Sequence, residues 1–297
     1  MNILVAGATG GIGKNLCYFL EQKGHFVFTL SRNKAKAMEL FPFAKKHLQW
    51  NENWFENLPD IDAIVNLSGS TIGKRWTKKY KVEILKSRIE TTKEIVLRLN
   101  SFNSKGITLF NTSAIGIYPN CDDEVITEET SAGAHFLAQV CKDWEKEALH
   151  LKPPHRLVIG RFGLVFKKDD VALQRILMSY KFGFGVVIGN GLQWVSWIHI
   201  SDLVNLIAIS LENPSFEGIY NFVSPNPIRY VELIRAIGNI LNKPFILAIP
   251  DYLIKIIFGE QSSVLLASQR VIPKRLLDLG FEFQFPEIEG ALKTLII

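Results

Sequence analysis

The first residues whose types and spacing could do chemistry are Gly7-Ala8-Thr9-Gly10-Gly11-Ile12-Gly13, directly after the apolar run Ile3 to Ala6. Glycines at the first, fourth and seventh positions between a strand and a helix match the geometry of a pyrophosphate cradle. Gly7 lets the chain turn tightly, Gly10 lets the backbone approach a phosphate, and Gly13 lets the helix lie close to the strand. Thr9, Gly11 and Ile12 complete the loop, and the amides at the helix start attract anions. About 20 residues past the last glycine, an NAD site needs a carboxylate for the ribose 2′-hydroxyl. The sequence there is Ser31-Arg32-Asn33. Arg32 can bond a 2′-phosphate, with Ser31 as a neutral donor and Lys34 or Lys36 as helpers, so NADP(H) is the expected cofactor. Further on, Leu67, Ser68 and Gly69 end an apolar strand and are expected to line the cofactor ribose.

Hydride transfer also needs a proton donor or acceptor within about 3 Å of the substrate oxygen. Ser113, Tyr118, Lys142 and His199 are the candidates near the carboxyl ends of the strands. Lys142 and His199 each have a plain alternative, as a solvated lysine and as a hydrogen-bonded core histidine. Ser113 and Tyr118 have theirs as well, as a turn serine and a packed tyrosine. Metal chemistry has no sequence support. The three cysteines, Cys17, Cys121 and Cys141, form neither a C-x-x-C pair nor a His-paired set, and their odd number argues against a disulfide framework.

These residues require a scaffold of alternating strands and helices. Strands are expected near Ile3 to Ala6, Phe26 to Leu30, Leu48 to Trp50, Ala63 to Leu67, Ile107 to Thr112, Leu157 to Gly160 and Gly218 to Val223. Helical patterns lie between the earlier strands, such as Gly13 to Lys23 with Leu16, Phe19 and Leu20 on one face. Strict alternation implies right-handed crossovers and a parallel sheet. The expected fold class is therefore α/β, a Rossmann doubly wound parallel sheet with a smaller C-terminal substrate-side lobe. Residues 1–225 form the cofactor domain, with about 166–195 contributing to the substrate side, and 226–297 form the lobe. Asp202 reads as the N-cap of a helix, and the glycines from Gly183 to Gly191 suit either a loop over a ligand or a surface turn.

The composition is that of a globular chain, with 47% apolar and 21% charged residues. The net charge of +5 comes from dispersed lysines and arginines, so nucleic acid is not an expected partner. Apolar stretches are too short for a bilayer, and the N-terminus reads as a strand rather than a signal. A cytoplasmic chain with a small-molecule substrate is expected, and a homodimer is left open.

Several longer motifs resemble one family. They are Gly7 to Gly13, Asn66-Leu67-Ser68-Gly69, Ser87-Arg88-Ile89-Glu90-Thr91-Thr92, Trp197-Ile198-His199-Ile200-Ser201-Asp202 and Gln269-Arg270-Val271-Ile272-Pro273-Lys274-Arg275. Together they are similar, over essentially the whole chain, to the atypical extended short-chain dehydrogenases/reductases called epimerase family proteins. Those carry a small C-terminal domain of unknown function. The resemblance implies NADP binding, with Ser31, Arg32, Leu67, Ser68, Glu83, Arg88 and Val165 as cofactor contacts. Glu83 and Arg88 are five residues apart, roughly 140° around a helix, and need not share a face. The wider superfamily works with Tyr-x-x-x-Lys and a Ser or Thr, whereas none of the seven tyrosines here has a lysine four residues on. Registration on Trp144-Glu145 puts Leu137 and Cys141 at the Tyr and Lys positions, and registration on Tyr118 puts Ala114 at the Ser/Thr position. The expectation is an oxidoreductase or epimerase-like enzyme with atypical acid/base chemistry. The rival is a non-catalytic NADP(H)-binding sensor or assembly factor.

Overall fold

The structure is a computed structural model that describes residues 1–50, 53–58, 60–101 and 105–297. The strands β1 (Asn2–Ala6), β2 (Phe26–Ser31), β3 (Lys46–Gln49), β4 (Ala63–Asn66), β5 (Thr108–Ala114), β6 (Arg156–Phe162) and β7 (Gly218–Phe222) form the central sheet. Their order is β7-β6-β5-β4-β1-β2-β3, and every neighbouring pair is parallel. The chain winds outward from β1 to β3, then returns to β4 on the other side of β1. Ala6 pairs with Asn66 across that seam, so the crevice of this topology opens above the carboxyl ends of β1 and β4.

The near-continuous apolar strands are covered on both faces, as parallel sheets must be. Alternate residues of β1 serve the two layers. Ile3 and Val5 pack with Leu16, Cys17 and Leu20 of α1 (Gly11–Gln22), while Leu4 and Ala6 pack with residues of the opposite layer. Behind β2 lies α2 (Lys34–Leu40). The opposite layer contains α3 (Lys78–Asn100), which sends Ile95, Val96 and Leu99 inward, and α4 (Phe136–Ala148) lies beside it. Beyond β6 come α5 (Val171–Tyr180) and α6 (Ile200–Glu212), and α6 packs beside α1.

A second core gathers Phe166, Leu173, Tyr180, Val187 and Trp197 against α7 (Tyr230–Ile240). The remaining helices are α8 (Asp251–Phe258), α9 (Ser262–Leu265), α10 (Lys274–Asp278) and α11 (Ile288–Ile296), the last of which completes this core. Short parallel pairings join distant segments here, Gly185–Ile188 with Ile246–Ile249 and Val125–Ile126 with Arg270–Val271. The expected cap at Asp202 is corrected. His199 precedes the helix and its Nδ1 accepts the Ser201 amide at 3.2 Å. Asp202, in the first turn, instead accepts the Gln284 and Phe285 amides at 2.8 and 2.9 Å. A buried carboxylate with two distant donors in reach is better satisfied there than as a local cap. No helix among the described residues is long and apolar enough to cross a membrane.

Candidate functional site

The turn after β1 closes through a backbone bond from Gly10 N–H to Gly7 O at 3.0 Å, and Gly7 N–H ties it to Leu30 O of β2, also at 3.0 Å. Gly7 has φ +81°, and a Cβ there would stand 2.8 Å from Leu67 O. A Cβ on Gly13 would stand 2.4 Å from Gly7 O and 2.8 Å from Ala8 Cα and Ala8 O. Both glycines are therefore demanded by backbone on the far side. Gly10 differs: a Cβ there would meet only Gly7 O, at 3.2 Å, so its backbone is open to an incoming group. As the N-cap of α1 it brings no side chain to the first-turn amides, which leaves them to an anion.

Two buried hydroxyls near this crevice lack any hydrogen-bond partner, Ser68 Oγ and Thr112 Oγ1. Ser68 follows β4 and its amide is 3.1 Å from where a Gly7 Cβ would lie. An unpaired buried hydroxyl costs about 1–3 kcal/mol, and a ligand hydroxyl or phosphate in the crevice would relieve it. The cradle and these orphaned hydroxyls fit a dinucleotide.

At the end of β2, Ser31 is buried and its hydroxyl donates to Asn33 O at 2.9 Å. Arg32 is exposed, and among the described residues its guanidinium has no hydrogen bond or ion pair. After β4, the helix residues Glu83 and Arg88 reach the same loop from different angles. Glu83 Oε1 accepts from Ser70 Oγ at 3.0 Å, and Arg88 Nη1 donates to Ser70 O at 3.0 Å. Arg88 also lies 5.2 Å over the Trp144 ring and fills the space a Gly69 side chain would take. Its burial lowers its pKa from the ordinary guanidinium value. Val165 sits in the short strand Leu164–Phe166, opposite Ile198, with its side chain on the α1 side of the molecule.

Ser113 and Tyr118 occupy a buried polar network. Ser113 Oγ donates to Glu145 Oε1 at 2.6 Å, and Arg161 grips the same carboxylate with Nε at 2.9 Å and Nη2 at 2.8 Å. Arg161 Nη1 donates to the Tyr118 hydroxyl at 2.8 Å, which in turn donates to Asn221 Oδ1 at 2.8 Å. Tyr118 is 0% exposed and Ser113 1%. Burial pushes the Tyr118 hydroxyl above the ordinary phenol value despite the nearby guanidinium. For Arg161, burial disfavours the charge, but bonds to Glu145 outweigh it and the pKa is raised. The network ties β5, β6 and β7 to α4 and holds both hydroxyls inside the protein. Lys142, on α4 beside it, is half-buried.

His199 is buried too, with its ring 4.1 Å from that of Phe285 and its Nε2 3.2 Å from Thr294 Oγ1. Desolvation lowers its pKa from 6.5 to about 4. Because the folded protein holds the imidazole neutral while the unfolded chain takes a proton below 6.5, this site favours folding fully above that pH. The advantage is lost as pH falls toward 4, up to roughly 3 kcal/mol. Urea unfolding from pH 7 to 4.5 should therefore lose stability more steeply in the wild type than in His199→Asn. Parallel pH profiles would refute the assignment.

A cleft of about 1090 Å³ opens between the strand-end loops and the C-terminal segments, lined by Trp76, Asn120, Asp123, Phe136, Gln193, Arg229 and Ser268 among others. The glycine-rich segment resolves into the strand Gly185–Ile188 followed by positive-φ turns at Gly189 and Gly191, and Ile188 to Asn190 form part of the cleft rim. Sequence reading missed Arg161, Glu145 and Thr112, whose roles come from partners 16 to 43 positions away or from the lack of any. No group of three or more His, Cys, Asp or Glu among the described residues could hold a metal.

Residues 3–222 match the NAD dependent epimerase/dehydratase family, and residues 249–295 match a domain of unknown function, DUF1731. The chain is 36% identical over 301 residues to the chloroplastic epimerase family protein SDR39U1 homolog of Arabidopsis thaliana, covering 100% of this chain and 87% of that one. It is 35% identical over 301 residues to the epimerase family protein YfhF of Bacillus subtilis, covering 100% and 98%. Among solved structures, that of human epimerase family protein SDR39U1 (isoform 2) with NADPH superposes with a TM-score of 0.91 at 30% identity, covering 99% of both chains.

Proposed function

The chain belongs to the NAD-dependent epimerase/dehydratase family, and on that premise we propose that it binds NADP(H) and acts as an oxidoreductase or epimerase-like enzyme on a small molecule in the cleft. The observation that carries the reading is the crevice at the β1/β4 seam. It combines open first-turn amides, an unpartnered Ser68 hydroxyl and, at the end of β2, an exposed arginine where an NAD site carries an acid. Gly10 to Gly13 would hold the diphosphate, Arg32 the 2′-phosphate, and Ser68 with the loop braced by Glu83 and Arg88 the nicotinamide-side ribose. The NADPH in the human relative's structure supports the same cofactor. A bound nicotinamide supplies a hydride donor or acceptor. The chain's own part is to orient it and to exclude water beneath the cleft.

The preference for the 2′-phosphate is testable directly. Arg32→Ala should weaken NADPH binding by about tenfold or more, the value of one charge-assisted contact, and leave NADH binding unchanged. Calorimetric titration of both cofactors reads this out, and equal wild-type affinity for NADPH and NADH would remove the preference.

One observation favours the second reading, a non-catalytic cofactor-responsive sensor or assembly factor. Registration on Tyr118 and on Trp144-Glu145 puts Ala114, Leu137 and Cys141 at the superfamily's proton-transfer positions, and burial raises the Cys141 thiol to about 12. Single-turnover oxidation of bound NADPH against a library of carbonyl compounds separates the two. Turnover with any member supports the enzyme, and inertness across the library supports the sensor.

A further inference from the structure

Resting on the cofactor reading above, we propose that Lys167 is a cationic clamp on the cofactor diphosphate, closing on the glycine cradle at the start of α1. A Cβ added to Gly11 would meet Lys167 Cε at 2.8 Å and Nζ at 3.4 Å. The lysine therefore lies across the first residue of α1, where the open amides are. It is half-buried, and among the described residues its ammonium has no hydrogen bond and no ion pair. That orientation is not forced by a lack of nearer acids. Asp169 and Asp170 follow at once, yet neither carboxylate pairs with it, and Asp170 caps α5 by accepting the Leu173 amide at 2.9 Å.

The backbone explains the direction. In the strand Leu164–Phe166, Phe166 enters the C-terminal core while Val165 packs on the α1 side. Lys167, two residues after Val165, continues on Val165's side and reaches the cradle. A partly desolvated ammonium beside amides already poised for an anion, with a nine-tenths buried and unpartnered Ser68 hydroxyl in the same crevice, lacks one component, a phosphate. The clamp also joins two regions. Residues 164–170 lead into α5 and the substrate-side core, so a diphosphate that engages Lys167 ties the cradle to the segment that builds that side of the molecule.

The test compares wild type, Lys167→Gln and Arg32→Ala by titration with NADPH, NADH and 2′-AMP, which carries a 2′-phosphate but no diphosphate. Lys167→Gln keeps most of the packed stem and removes the charge. It should weaken NADPH and NADH alike, by about tenfold, leave 2′-AMP unchanged and reduce the loss of NADPH affinity as salt is raised. Its melting temperature should match the wild type, because the ammonium has no partner to lose. Equal NADPH affinity in Lys167→Gln and wild type overturns the clamp and leaves the cofactor reading intact. A matching loss for 2′-AMP also overturns it, as a general charge effect. Failure of the wild type to bind NADPH overturns the cofactor reading itself.

Discussion

Arg161→Leu should destabilise the protein by about 3–5 kcal/mol, because it leaves the Glu145 carboxylate buried without its partner. Glu145 is 5% exposed, and its carboxylate takes two bonds from Arg161 and, among the described residues, only the Ser113 hydroxyl besides. The same change strips the Tyr118 hydroxyl of its donor and its cation, which lies 5.0 Å from the ring centre. The double variant Glu145→Gln/Arg161→Leu should recover a substantial part of the loss, since a neutral amide buries at lower cost than an unpaired carboxylate. Urea unfolding of the four proteins of this cycle measures it. A single-variant loss below about 1 kcal/mol, the range of exposed pairs, would mean the network contributes little. The strand ends that border the crevice are anchored by this network, so a weakened Arg161 variant should also bind NADPH less tightly.

Gly13→Ala should reduce NADPH affinity by roughly a hundredfold, equivalent to about 3 kcal/mol and one or two lost phosphate bonds. The new methyl would sit 2.4 Å from Gly7 O, against backbone that cannot turn aside as a flexible side chain can. The strand-to-helix approach must widen, and the amides at the start of α1 move off the phosphate position. Overpacking of this kind also costs stability, about 1–3 kcal/mol, so the affinity is measured well below the variant's melting temperature. Gly24→Ala is the control: Gly24 also has a positive φ, but a Cβ there meets nothing within 4 Å. It should cost some stability and leave NADPH affinity unchanged. Wild-type affinity in Gly13→Ala would show that close packing at this point is not what shapes the cradle.

The cradle was legible because all its determinants lie within residues 7–13 and act through backbone conformation, which glycine spacing reports directly. The alternation of apolar strands and amphipathic helices likewise forecast the parallel sheet, since burial on two faces leaves its mark on each strand. The place of Arg32 at the end of β2 was legible from its distance from the glycines. None of this needed knowledge of what lies across the fold.

The fate of Ser113, Tyr118, His199 and Asp202 did need it. Their sequence neighbourhoods allow proton transfer, packing or capping, and only partners supplied from far along the chain choose between them. Tyr118 meets Asn221 and Arg161, and Asp202 meets the amides of Gln284 and Phe285. Glu83 and Arg88 need not share a face of their helix by spacing, yet both reach Ser70, because long side chains converge where a loop folds over the helix start. Lys167 carried no signal at all, as a surface lysine in sequence and a half-buried cation over Gly11 in the fold. The sequence by itself determined the glycine turn, the sheet that presents it and the positive charge beside it, through short-range geometry and periodicity. Which polar groups are free to act and which are locked into the interior was decided only by tertiary structure, because burial and hydrogen-bond partnership are properties of residues brought together from opposite ends of the chain.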